Sequence, residues 1–287
     1  MNTLTNTRSS KIIAIGGLGG SGTRVVAQIF IDSGIYMGDD LNPSNDNQFF
    51  TRLLKNPIWL EQATQYDINK RLRILKKYMT GSNLNLFEII EVLQACSSNP
   101  TIHSDKNYYK WFLKRQFKGK EKELRIWGWK EPNTHLLLLP LFNFFPEMKY
   151  VHVVRHGLDM AFSGNKNQLN YWGKKFGISV EKDDDENVLS KKQLDYWIKT
   201  TQLAIEIGKK FGDRFYLLNY QSLCEQPITE VPKLIDFWGN DTNPTLMKKL
   251  ISIPKISSSN GRYKTKDLSI FSGEQIQAVA NLGFQIT

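Results

Sequence analysis

Apolar and polar positions fall into blocks whose periods lay out the elements. Lys11-Ile-Ile-Ala-Ile15 is an apolar run rich in β-branched residues, which reads as a buried strand. It breaks at Gly16-Gly-Leu-Gly-Gly-Ser-Gly-Thr23, where five glycines in seven positions permit tight turns that residues with a Cβ resist. Val25, Val26, Ile29 and Phe30 then recur at helical spacing, and Asp32-Ser33-Gly34 supplies a stop. The stretch predicts a strand, a glycine loop and a helix.

Residues 48–117 carry a helical pattern with no strand signal. Ile68, Leu72, Leu75 and Met79 share one face, as do Leu86, Ile89, Ile90 and Leu93. These helices read either as a layer over a sheet or as a cap shaping an acceptor pocket. Strand pattern returns at Arg125-Ile-Trp-Gly-Trp129, followed by Lys130-Glu131-Pro132-Asn133 and a helix over 134–145. Lys149-Tyr-Val-His-Val-Val154 is apolar enough for a central strand of a parallel sheet. Arg155-His156-Gly157 then enters a helix that carries Asp159 and reaches Ser163.

Further on, the acidic run 181–186 reads as a solvated loop. An amphipathic helix over 190–211 turns Leu194, Trp197, Ile198 and Ile205 inward, and a strand over 214–218 ends in Asn219-Tyr220. Ile228, Val231, Ile235 and Trp238 mark one face of the next helix; a polar loop, 257–264, precedes a short closing helix. Strands alternating with helices predict an α/β fold, a central parallel sheet flanked by helices, with ligand-binding loops gathered at one edge. We expect a single domain over 1–287 with a helical insertion at about 48–120.

Composition narrows the function classes. The chain has 287 residues and a net charge of +10, which suits an anionic ligand, nucleic acid or anionic lipid. No dense basic helix interleaved with aromatics stands out, so nucleic acid is the weaker option. The two cysteines, Cys96 and Cys224, have no metal-like spacing, and the histidines at 103, 135, 152 and 156 form no zinc-like cluster. Without an apolar span or a leader pattern, the expectation is a cytoplasmic protein with no membrane span.

The glycine loop opening a helix is a natural cradle for a phosphate-like anion. It lacks the Gly-Lys-Ser/Thr ending of nucleotide triphosphatases, since Gly22-Thr23-Arg24 stands there. A dinucleotide fingerprint, Gly17-x-Gly19-x-x-Gly22 with Asp39 or Asp40 as ribose acid, fits on paper and keeps an NAD(P)-dependent oxidoreductase open. A second anion site comes from Arg155 and Ser163, a guanidinium and a hydroxyl suited to a phosphate monoester. Two such sites on one edge imply a ligand with anionic groups at both ends.

With Gly19-Gly20-Ser21-Gly22-Thr23, Arg155 with Ser163, and Gly261-Arg262-Tyr263-Lys264 in order, the chain resembles the sulfotransferases that use 3′-phosphoadenosine 5′-phosphosulfate. The resemblance runs from about Lys11 to Lys264 and implies a P-loop-like sulfotransferase fold. It implies that Gly19, Gly20, Ser21, Gly22, Thr23 and Arg24 hold the 5′-phosphosulfate. Arg155 and Ser163 would hold the 3′-phosphate, with Gly261, Arg262 and Lys264 completing the nucleotide site. Trp129-Lys-Glu-Pro132 resembles the carbohydrate and tyrosyl-protein branches, and Gly38-Asp39-Asp40 resembles the Gly-acid-acid sequence that supplies a base there. Asp40 is then the base, with Asp46 and Glu131 as substitutes; Lys130 and Arg24 stabilise the sulfuryl group, and a tail serine such as Ser257 adds a hydrogen bond. No metal is implied. The acceptor is a hydroxyl on a carbohydrate, peptide or small alcohol, carbohydrate being preferred from the branch. One departure is Gly20, where many members carry Lys or Arg.

Plainer roles stand beside these. Asp40 also reads as a turn acid, Lys130 as a surface cation, Arg155 as a structural ion-pair partner and Asp159 as a helix-start residue. Tyr220 reads as core or as an adenine contact. Trp127 and Trp129 read as packing, and His135 and His156 as polar surface residues.

Overall fold

A computed structural model of the chain describes residues 10–102, 106–118, 124–239 and 241–286. His103 and both ends of the expected 1–287 domain lie outside them, as do residues 119–120 of the expected insertion. Four parallel strands form the sheet: β1 (Lys11–Gly17), β2 (Ile126–Lys130), β3 (Met148–Val154) and β4 (Phe215–Asn219), in the order β2-β1-β3-β4. The register sets Ile12 opposite both Trp127 and Met148, and Val154 opposite Asn219. All carboxyl ends therefore emerge at one edge, the place where open α/β sheets bind ligands.

Both sheet faces are covered, which explains why β1 and β3 are apolar almost throughout. Ile12, Ala14, Trp127, Trp129 and Tyr150 face one side; Ile13, Ile15, Val151 and Val153 face the other. The first side is covered by the helices that follow residue 47: α2 (Gln48–Leu54), α3 (Pro57–Gln62), α4 (Gln65–Thr80), α5 (Leu86–Ser97) and α6 (Lys106–Lys118). Phe49, Phe50, Leu53, Leu72, Leu75 and Tyr78 from these helices join Trp127 and Trp129 in one core. The insertion is thus a layer over the sheet. Trp127 and Trp129 are fully buried packing residues.

The opposite side is covered by α1 (Thr23–Asp32) and, later, α12 (Pro227–Trp238). A third core joins Leu158 on α8 (Gly157–Ala161), Trp197 on α10 (Glu186–Lys209) and Val279 on α14 (Gly273–Asn281). Among the described residues no helix is long and apolar enough to cross a membrane.

Several expectations need correction. The helix over 134–145 is a 3-10 segment, Pro132–Leu137, followed by α7 (Leu138–Phe144), because Pro132 and the Glu131 cap set a tighter first turn. Leu86 and Ile90 do not face the core; they are 68% and 41% exposed, and α5 instead buries Val92, Ala95 and Cys96. Ile228 is 75% exposed, at the start of α12 before its face meets the sheet. His135 and His156 are buried, not surface residues: His135 Nδ1 lies 2.9 Å from the Pro132 carbonyl, and His156 Nε2 lies 2.9 Å from that of Gln285. The acidic run does sit mostly at the surface, and its Asp185 caps α10 by accepting from the Val188 amide.

Candidate active site

Each strand delivers one part of the site where it ends. The glycine loop follows β1, Lys130 is the last residue of β2, Arg155 directly follows β3, and Tyr220 follows β4 as the first residue of α11 (Tyr220–Glu225). Between them lies a cavity of about 410 Å³. Gly19, Gly20, Gly22, Thr23, Arg24, Lys130, Glu131, Arg155 and Tyr220 all line it.

The glycine loop is shaped for an anion. Gly22 precedes α1 with φ of 98°, and no side chain caps that helix end. The first amides of a helix have no intrahelical acceptor and carry its positive end. A Cβ on Gly22 would stand 2.0 Å from the Tyr220 ring, so the loop and the aromatic ring approach each other through a position only glycine can occupy. The tyrosine edge packs on the loop while its side chain remains part of the cavity wall. Burial, reinforced by a hydrogen bond to Cys224, pushes the Tyr220 phenol up to about 12.

Arg155 occupies the same rim. Its Nη1 donates to the Gly20 carbonyl (3.3 Å) and its Nη2 to Ser259 Oγ and Asn260 Oδ1 (both 2.9 Å). Asp159, fully buried one helical turn on, lies 3.5 Å from the same guanidinium and accepts from the Gly261 amide at 2.9 Å. Burial lowers the Arg155 pKa and the nearby charge of Arg262 adds to that, while Asp159 opposes both. Arg155 is therefore both an ion-pair partner and a cavity-lining cation. Three buried polar atoms nearby have no hydrogen-bond partner among the described residues: Arg155 Nε, Asn260 Nδ2 and Ser21 Oγ. All three can donate, and the two on Arg155 and Asn260 are what a site built to receive an anion would hold in reserve.

Four charges form the opposite wall. Lys130, buried, is ion-paired with Asp46 through a short contact and donates to the Ser44 carbonyl at 3.1 Å. Lys55, just beyond α2, lies 3.1 Å from Glu131 Oε1. Burial works against the Lys55 ammonium, but Glu131 and then Asp46 outweigh it and raise its pKa. Glu131 also accepts from Asn133, through the backbone amide (2.6 Å) and the side chain (3.0 Å). Asn133 in turn accepts from Gln168 Nε2 at 2.7 Å, and Gln168 Oε1 accepts from the Gly19 amide. A continuous polar chain thus runs from the insertion to the glycine loop.

Other predicted residues lie elsewhere. Asp40 does not line the cavity; its carboxylate lies in the field of Tyr78, Cys96 and Tyr108 beneath the insertion. Of the two substitutes, Asp46 and Glu131, both line it. Asp39, the other candidate ribose acid, is paired with Arg115 (2.7 Å) outside the cavity. Ser163 is beyond the end of α8, buried, with its Oγ accepting from the Asn165 amide at 3.3 Å. Gly261, Arg262 and Lys264 flank Arg155 through the tail but do not line the cavity; Ser257 does. Ser21 packs below the loop.

Sequence reasoning missed Lys55, Asn133, Gln168 and the tail-holding role of Asp159. The opposite charges of Arg155 and Asp159 four residues apart were a readable sign of pairing. Lys55 and Gln168 gave none.

The molecule is thus of the α/β class, with a glycine loop on the first strand of a parallel sheet and a cationic rim beside it. The family model described as "Sulfotransferase family" matches residues 13–244, and the chain belongs to that family. Among solved structures, the chain is similar to the sulfotransferase domain from the Synechococcus PCC 7002 olefin synthase. That match has a TM-score of 0.55 and 16% identity, over 97% of this chain and 96% of that one. A sulfotransferase domain from the curacin biosynthetic pathway matches with a TM-score of 0.50 and 14% identity, over 97% and 99% of the two chains. These likenesses show the P-loop-like fold. Comparison with curated proteins finds no match. The chain is an enzyme of sulfuryl transfer, and the oxidoreductase reading falls away.

Proposed function

We propose that the donor is 3′-phosphoadenosine 5′-phosphosulfate and that the acceptor is a hydroxyl of a carbohydrate. The observation that carries the donor is the shared rim: Arg155 hydrogen-bonded to the Gly20 carbonyl, so that the guanidinium and the glycine amides address one ligand. When bound, the donor supplies an activated sulfuryl group on a phosphate leaving group. Gly19, Gly20, Gly22, Thr23 and Arg24 would hold its 5′ end, and Arg155 with Ser163 and the Arg262 region its 3′-phosphate. Arg155 Nε and Asn260 Nδ2 would gain partners there. Tyr220 offers a face to the base.

Sulfuryl transfer, like phosphoryl transfer, is catalysed chiefly by positioning and by charges aimed at the leaving oxygen. Lys130 and Arg24 supply those charges. Asp46 accepts the acceptor proton: its carboxylate, 19% exposed, is held by Lys130 and Asn42 and lines the cavity. Glu131, 1% exposed and held by three donors, fixes Lys55 and Asn133 instead, because its oxygens are already engaged. Carbohydrate suits a wall made of Ser44, Asn133, Asn165, Asn167 and Gln168, which offers amides and hydroxyls to a polyol. The test is calorimetry with adenosine 3′,5′-bisphosphate and with NAD, followed by transfer of radiolabelled sulfate to a panel of glycans, tyrosine peptides and alcohols. Binding of NAD alone would sink the reading.

A further inference from the structure

A second cavity of about 240 Å³ opens beside the first and shares three of its wall residues, Lys55, Asn167 and Gln168. Its other walls are Thr101 from the insertion and Tyr171 and Trp172 from α9 (Asn167–Trp172). Nothing in the donor reading uses it. Tyr171 is 44% exposed, so its ring is open to a ligand from the cavity side. Trp172 is 2% exposed, and its buried Nε1 has no hydrogen-bond partner among the described residues. That nitrogen has no open surface on the cavity, so what the cavity presents is the exposed Tyr171 ring and the amides of Asn167 and Gln168.

The geometry points to this second cavity as the acceptor subsite, built to take one sugar ring whose hydroxyl is presented to the first cavity past Lys55 and Gln168. The subsite deepens the sulfuryl-transfer reading and rests on it for the identity of the reaction. Its chemistry is that of a sugar binder. The Tyr171 ring offers an apolar platform with a polar tip, and the Asn167 and Gln168 amides donate and accept. The volume is on the order of eight waters, room for a pyranose.

The wall between the cavities is well braced. Gln168 is hydrogen-bonded at both ends, to Asn133 and to the Gly19 amide, and Lys55 is held by Glu131. Thr101 Oγ1 donates to the Lys55 carbonyl at 3.1 Å, tying the far side of the subsite to the same residue. A ring seated on Tyr171 would therefore meet a preformed edge, with the Asp46–Lys130 pair lying beyond it in the first cavity.

Saturation-transfer difference NMR tests this with methyl β-glucoside, methyl β-galactoside and methyl N-acetyl-β-glucosaminide as probes, and with N-acetyltyrosine amide as the contrast. At least one glycoside should show transfer from aromatic protons. Tyr171→Ala should cut that signal roughly fivefold, and Tyr171→Phe, which keeps the platform, should retain most of it. Adenosine 3′,5′-bisphosphate affinity should be equal in all three proteins. No glycoside signal, a signal indifferent to Tyr171→Ala, or binding of the tyrosine amide alone would each overturn the subsite. A Tyr171-dependent glycoside signal in a protein that does not bind the nucleotide would support the subsite and sink the donor reading alone.

Discussion

The Nη1 of Arg155 donates to the backbone carbonyl of Gly20 across 3.3 Å, joining two residues 135 positions apart in sequence on one rim of the cavity. The contact makes a single doubly anionic ligand geometrically reasonable, because neither anion site would otherwise constrain the other. It also exposes the plainest test. Arg155→Ala should weaken adenosine 3′,5′-bisphosphate roughly 30-fold by calorimetry, the loss expected of a charge-assisted hydrogen bond. Arg155→Lys, which keeps the charge without the planar fork, should fall between. Unchanged affinity in Arg155→Ala would leave the residue a structural partner of Asp159.

Gly22 and Gly34 separate two effects of glycine. Both have positive φ, 98° and 91°, but a Cβ on Gly34 meets nothing within 4 Å, whereas one on Gly22 collides with Tyr220. Gly34→Ala should cost about 1–2 kcal/mol in denaturant unfolding, the strain of the left-handed backbone. Gly22→Ala should cost more and should also abolish nucleotide binding, since the ring must move off the loop. Equal losses in the two variants would contradict the close approach.

Three carboxylates were candidates for the base, and two of them, Asp46 and Glu131, line the cavity. Asp46→Asn should lower kcat by about 10²–10⁴ with nucleotide affinity nearly unchanged. Glu131→Gln should lower stability as well as turnover, because it leaves Lys55 half-desolvated without its counter-charge. Asp40→Asn should keep turnover within a few-fold of the parent. A large kcat loss confined to Asp40→Asn would return the base to that position.

Stability should fall in acid for a reason independent of catalysis. Burial lowers the pKa of His135 to about 4 and that of His152 to about 3, from an ordinary 6.5. Between these values the unfolded chain binds protons that the folded chain refuses, so unfolding free energy rises with pH there. The denaturant midpoint should drop as pH falls from 6.5 toward 4, and His152→Gln should flatten that slope. A midpoint independent of pH across this window would show that the two rings are not held neutral.

Much of the site was legible because of where it lies on the strands. Lys130, Arg155 and Tyr220 stand at or just after strand ends, and apolar runs mark those ends without any alignment. The glycine loop announces itself by composition. Asp40 falls outside the cavity lining, because the Gly-acid-acid sequence holds no information on which side of the chain the insertion packs. In the fold that acid lies off the cavity, in the field of Tyr78 on α4 and Tyr108 on α6, while Asp46, six residues on, turns to Lys130.

The amino-acid order by itself determined the parallel α/β frame, the anion loop and the cations at the sheet edge, since each depends on local periodicity or on residues adjoining a strand. Tertiary structure alone decided which of the three carboxylates line the cavity, that Lys55 and Gln168 meet Glu131 and Gly19, and that Asp159 secures the tail. Those contacts join residues far apart in the chain. Their geometry follows from how the insertion, α8 and the tail pack against the sheet, and no local pattern encodes that packing.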